Sequence, residues 1–185
     1  MPDDSAAETA ALDIRKFDKA LHDRSAFSCG HGPIDNFLKS SLSGQIKTGF
    51  VAAYMATADG DNAVLGFYTL GAMAVRADLG PNEWTRAGVP EVPVIYIRAV
   101  AVREDCQGKG LGTALVIAAL RQCIVITDKI GAAAVVLDVL NDKHFERRWA
   151  FYENLGFKPL SDPNNPYRVF IPMADVRATL VPCTI

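Results

Sequence analysis

Residues 92–120 read VPVIYIRAVAVREDCQGKGLGTALVIAAL, and their reading decides the fold. Residues 92–102 are a nearly continuous apolar run, rich in β-branched side chains, that reads as a buried strand. Residues 111–120 set Leu111, Ala114, Leu115 and Ala118 on one stripe at helical spacing. Between the two lies Gln107, Gly108, Lys109, Gly110, Leu111, Gly112. Glycines at a strand-to-helix junction let the backbone come close to a ligand, and the first amides of the helix have no partner within it. That combination is a ready anion site, most often for phosphate, so a nucleotide-type cofactor is expected. A turn of purely structural purpose is the alternative at this point.

The glycine spacing narrows the cargo. Gly108, Gly110 and Gly112 give GxGxG, not the GxGxxG of dinucleotide folds. No GxxxxGK followed by Ser or Thr occurs, so a triphosphate P-loop is not supported. Successive amides from Gly108 to Thr113 would hold a pyrophosphate, with Lys109 adding charge.

A chain of 185 residues with net charge −2 and 50% hydrophobic residues reads as one globular domain over residues 11–185, after a flexible acidic start over 1–10. No basic field advertises nucleic-acid binding, no apolar run is long enough for a membrane, and residues 1–10 have neither the basic nor the apolar region of a signal peptide. Cys29, Cys106, Cys123 and Cys183 show neither CxxC pairing nor metal-like spacing with His22, His31 or His144. Free thiols in a cytoplasmic protein, with no metal, are expected.

Patterning places strands at 12–17, 50–58, 63–75, 92–102, 132–140 and 168–171. Helices are expected from Pro33, over 111–120, over 143–155 ending at Gly156, and over 174–180, with a short turn at 81–87. An opening meander followed by β-α-β crossovers predicts an α+β fold, a mixed sheet with helices on both faces.

The second informative segment is Phe151-Tyr152-Glu153-Asn154-Leu155-Gly156-Phe157. Alone it reads as core plus an amphipathic tyrosine. Together with the glycine loop it resembles the GNAT superfamily of acetyl-CoA-dependent N-acetyltransferases. Their Gln/Arg-x-x-G-x-Gly/Ala signature is matched by residues 107–112, and their Y-x-x-x-G-F segment by residues 152–157. The resemblance runs from about residue 12 to residue 180. It implies a central, mostly antiparallel mixed sheet splayed between the fourth and fifth strands. It also implies that the backbone of Val100, Ala101 and Val102 pairs with the pantetheine arm. Gln107, Gly108, Lys109, Gly110, Leu111, Gly112 and Thr113 would surround the pyrophosphate, and Tyr152 would protonate the departing thiolate. A phenol of ordinary pKa near 10 is protonated at neutral pH and suits that role. The amine must lose a proton to a base or to water; Asp138, Glu104 and Glu153 are the carboxylates in view.

Residues 27–38, FSCGHGPIDNFL, resemble the F-x-C-G-x-x-x-Leu/Ile-D-x-Phe/Trp-L opening of toxin-type GNAT proteins, and residues 65–70, LGFYTL, resemble one of their strands. Those proteins acetylate the α-amine of aminoacyl-tRNA, blocking translation, and pair with a small antitoxin; a homodimer is a further expected assembly. A GNAT acting on a small-molecule or peptide amine, and a non-catalytic acyl-CoA-binding domain, are the alternatives. Three departures stand out. The chain is mildly acidic, whereas an RNA ligand favours basic proteins. Ala99 stands where such toxins carry Arg, with Arg98 one place earlier, which strand alternation puts on the opposite face. The segment before Tyr152 is about one helical turn long in excess, and brings a basic cluster of Lys143, Arg147 and Arg148.

Overall fold

The computed structural model describes residues 12–181; the expected flexible start and Cys183 lie outside the described residues. In chain order the elements are β1 (Leu12–Lys16), α1 (Gly32–Asn36), a π-helical turn (Phe37–Ser41), α2 (Leu42–Lys47), β2 (Ala52–Ala58) and β3 (Gly66–Arg76). Then follow α3 (Asn82–Arg86), β4 (Glu91–Val102), α4 (Leu111–Thr127), β5 (Ala134–Asp138), α5 (Phe145–Asn154), β6 (Lys158–Pro159), β7 (Arg168–Pro172) and α6 (Met173–Leu180). The strands make one seven-stranded sheet in the order β1-β2-β3-β4-β5-β7-β6. Every pairing is antiparallel except β4 with β5. That parallel pair needs a crossover, and α4 supplies it.

Helices cover both faces, as expected. Ile95, Ile97, Val135 and Leu137 turn one face of the sheet toward Leu115, Val116, Ala119 and Cys123 of α4 and Met173 and Val176 of α6. Val94, Val136 and Phe170 turn the other toward Trp84 of α3, while Met55 and Phe67 meet Leu38 and Leu42 of the first helical segment. Two close approaches set the spacing of these layers. A Cβ on Gly66 would lie 2.8 Å from Leu115 and 3.0 Å from the Ala101 carbonyl oxygen, so β3 passes under α4 only without a side chain there.

α4 runs to Thr127, beyond the expected residue 120. Ile124, Val125 and Ile126 are β-branched and favour strand locally. Ile124 and Ile126 nonetheless pack on the core cluster beside Cys123, and that burial outweighs propensity. The helix expected from Pro33 is broken by the π-turn, and β6 was not foreseen at all, being a two-residue edge. Among the described residues no helix is long and apolar enough to cross a membrane, no group of His, Cys and acidic residues could hold a metal, and Cys29, Cys106 and Cys123 are free thiols.

Candidate active site

β4 pairs with β5 only from Val94 to Ile97, opposite Ala134 to Leu137. Beyond Ile97 it stays with β3 alone, so the sheet opens between β4 and β5. A bulge lies at the root of that opening: Thr69 pairs with Ala99 and Leu70 with Ile97, leaving Arg98 as the extra residue. The bulge switches parity. Ile95 and Ile97 face α4 before it, and Val100 and Val102 face α4 after it. Arg98 and Ala99 therefore both turn to the α1–α2 face: the Arg98 guanidinium lies 5.8 Å from the Phe37 ring centre, and Ala99 packs in the same cluster as Phe37. The expectation that Arg98 sits opposite position 99 is corrected, because alternation fails across a bulge.

The bulge also decides which backbone groups face the opening. The Arg103 amide donates to the Leu65 carbonyl (2.8 Å) while Val102 stands opposite Gly66. In an antiparallel ladder this makes Val102 a residue whose own N–H and C=O point away from β3, and Val100 likewise. The backbone of Ala101 is turned to β3 instead. The Val102 carbonyl accepts from Gln107 Nε2 at 2.9 Å, and the same nitrogen donates to the Cys29 carbonyl at 3.1 Å. Gln107 thus ties the glycine loop to the end of β4 and to the loop before α1.

Gly108 and Gly110 have φ of 76° and 84°, the left-handed region where glycine alone is unstrained. Gly110 is the N-cap of α4, and its carbonyl accepts the first helical bond, from Ala114. Among the described residues, none of the amides of Gly108, Lys109, Gly110, Leu111, Gly112 and Thr113 reaches a protein acceptor. Nothing lies within 4 Å of where a Cβ would stand on Gly108 or Gly110, so the surface over these amides is open. Six successive donors at the positive end of a 17-residue helix fit a diphosphate. Lys109 is exposed, with its ammonium on the Asp105 carbonyl at 2.8 Å.

Tyr152 lies in the last turn of α5, and the end of that helix fixes its ring. The Phe157 amide donates to the Tyr152 carbonyl (3.1 Å) and the Gly156 amide to the Glu153 carbonyl (2.9 Å), with Gly156 at φ 92°. This is a Schellman cap, and its usual apolar contact is here Tyr152 edge-on to Phe157 at 5.6 Å. The Y-x-x-x-G-F spacing is therefore the spacing of the cap itself. Phe151 closes the other side at 5.1 Å. The ring packs against the same core cluster as Val100, Val102 and Leu111. Burial pushes the phenol up to about 12, with Arg148 pulling the other way. The hydroxyl bonds to no described residue.

The profile of the acetyltransferase (GNAT) domain matches residues 48–159. The chain belongs to the GNAT acetyltransferase family. It is 35% identical to a probable TacT toxin of Sinorhizobium fredii over 173 residues, 90% of this chain and 94% of that one. It is 31% identical to a tRNA-acetylating toxin of Mycobacterium tuberculosis over 158 residues, 85% of this chain and 90% of that one. Among solved structures, AtaT complexed with acetyl-methionyl-tRNAfMet superposes with a TM-score of 0.81 at 25% identity, over 92% of this chain and all of that one. As a GNAT enzyme the protein takes its acetyl group from acetyl-CoA.

Within this GNAT domain the carboxylates in view separate clearly. Asp138 accepts two bonds from Arg168 (2.7 and 3.0 Å) and one from the Tyr96 hydroxyl (2.9 Å). It is a structural ion pair at the end of β5. Burial, followed by the Asp138 charge, pushes Tyr96 up to about 12, so this hydroxyl stays a donor. Glu104 follows β4, where it shares the one Ser28 hydroxyl proton with Asp35, each carboxylate at 3.2 Å. Glu153 is exposed. The expected basic cluster is divided: Arg148 pairs with Asp142 and reaches the Leu140 carbonyl (3.4 Å), while Lys143 and Arg147 are exposed.

Asp35 was read from sequence only as a motif position. It accepts from the Cys29 amide (2.9 Å) and the Ser28 hydroxyl (3.2 Å), folding the loop against α1. Burial raises its pKa, but these donors outweigh it and hold the carboxyl below its ordinary range. Arg98 was seen and placed on the wrong face. The parity change in the apolar residues, 95 and 97 and then 100 and 102, was the available signal.

Proposed function

We propose that this protein acetylates the α-amine of aminoacyl-tRNA in the cytoplasm, arresting translation, and that a small antitoxin restrains it. The observation that carries the chemistry is an anion cradle and an acid set around one core cluster. Six amides without acceptors lie at the start of α4, and a phenol with its hydroxyl unbonded packs on the same cluster. The relatives support the acceptor, since one is named a tRNA-acetylating toxin and another structure carries acetylated methionyl-tRNA.

Acetyl-CoA supplies a thioester, whose acyl carbon the neutral amine attacks as the carbon–sulfur bond breaks. Residues 108–113 hold the diphosphate through their amides, and the outward backbone of Val100 and Val102 lines the arm. Tyr152 keeps its proton on Oη at neutral pH and donates it to the leaving sulfur. Water accepts the amine proton, because Asp138 is committed to Arg168. The whole described domain serves this one reaction.

The test is an acetyl-transfer assay on charged tRNA, with free amino acids and polyamines in parallel. Acetylation of charged tRNA alone is expected. Equal activity on free amines with none on charged tRNA would overturn the acceptor.

A further inference from the structure

Resting on the aminoacyl-tRNA reading, we propose that the hollow between α2 and the β4 bulge seats the 3′-terminal nucleotide of the acceptor. Its phosphate lies on Arg98 and its base on Phe50. The hollow measures about 540 Å³ and is lined by Ser41, Gly44, Gln45, Thr48, Phe50 and Arg98. Arg98 directly follows Ile97, the last β4 residue paired with β5, so the hollow opens at the root of the splay. It lies on the face opposite α4, so the amine end of the acceptor and the thioester reach the opening from different sides.

Two features on the rim match a nucleotide. Phe50 is 70% exposed, the most exposed of the large apolar residues described. Its main chain is drawn onto the sheet where Gly71 lacks a Cβ, which would stand 3.1 Å from the Phe50 carbonyl oxygen. Aromatic rings presented in this way stack any base. Arg98 makes no ion pair among the described residues, and its stack on Phe37 orients the planar guanidinium, whose donors fit a phosphate.

The local charge is favourable although the chain carries −2 overall. Residues 36–50 hold Lys39 and Lys47 and no Asp or Glu, and both lysines are exposed. No carboxylate lines the hollow. Lys39 and Lys47 thus make residues 36–50 locally basic, and with Arg98 they offer cations to a nucleic-acid backbone.

Steady-state kinetics of the full chain test this with charged tRNA and with 3′-aminoacyl-adenosine, the latter with and without a 5′-phosphate. In the wild type the phosphate should lower KM at least fivefold. Arg98→Ala should abolish that advantage and raise KM for charged tRNA about tenfold, with kcat little changed. Phe50→Ala should raise KM for both short acceptors roughly fivefold or more, the loss of one stacked base. Thr48→Glu places a carboxylate in the hollow from an exposed helix end, so it should keep the melting temperature and still raise KM for charged tRNA. If wild-type protein acetylates charged tRNA while Phe50→Ala and Thr48→Glu leave its KM unchanged, the nucleotide seat is wrong and the acceptor reading survives. Weakened binding of an acidic peptide with unchanged KM for tRNA would also overturn it, in favour of a protein partner. No acetylation of charged tRNA by wild type would sink the underlying reading instead.

Discussion

Replacing Tyr152 by Phe removes one oxygen and leaves the ring. The structure makes this a clean perturbation: the hydroxyl bonds to no described residue, while the contacts with Phe151 and Phe157 belong to the ring. Stability near neutral pH should change by less than about 0.5 kcal/mol, because no internal hydrogen bond is lost. The affinity for acetyl-CoA should be unchanged, since the amides proposed to hold the diphosphate lie at the start of α4. Loss of a positioned general acid costs roughly 10²- to 10⁴-fold in rate, and kcat should fall by that factor. Thiol release with saturating acetyl-CoA and varied acceptor measures it. The pH profile adds a second reading. With the phenol pushed up to about 12, kcat/KM should rise as the α-amine, of ordinary pKa near 8, deprotonates. No descending limb should follow below about pH 11. Stability carries the same signature: the raised pKa favours folding fully below about pH 10 and is lost as pH rises toward 12, by roughly 2–3 kcal/mol. That loss should be absent from the Phe variant. A kcat within threefold of wild type, or a descending limb near pH 8–9 that persists in Tyr152→Phe, would refute the assignment.

Three further outcomes follow from particular contacts. Gly110→Ala finds open space but must hold a φ of 84°, so it should cost roughly 1–2 kcal/mol and raise KM for acetyl-CoA as the α4 amides turn, read by melting and kinetics. Arg168→Ala strips a half-buried Asp138 of its bidentate partner and should destabilise by roughly 2–4 kcal/mol in urea titration; an unchanged midpoint would contradict the ion-pair role. The depressed Asp35 carboxyl contributes stability above its unfolded pKa of 3.8, lost as pH falls through its lower folded value. Asp35→Asn should flatten that acid limb, which an acid melt series checks.

Residues 107–112 and 152–157 carried the site in the sequence because each is a local device. Gly108 and Gly110 adopt the backbone only glycine takes easily, and the Tyr152-to-Phe157 spacing is that of a helix cap, so both are set within a few residues. The strand and helix order was legible for the same reason: apolar periodicity is a local signal, and 92–102 and 111–120 show it without ambiguity. The π-turn at Phe37–Ser41, the extension of α4 to Thr127 and the pairing of Asp138 with Arg168 were not legible. Each depends on partners far along the chain, and Asp138 stood among three candidate bases because its guanidinium lies thirty residues away.

What the sequence determined by itself was therefore the family and two local devices, the glycine turn before α4 and the cap that holds Tyr152. Only the tertiary structure decided how they are set around one core cluster. A single extra residue in β4, Arg98, shifts every following side chain to the other face, so Ala99 joins Arg98 on the α1–α2 side and Val100 and Val102 turn toward α4. The parity change from 95 and 97 to 100 and 102 hints at a bulge, but which residue is the extra one appears only when β4 is laid against β3.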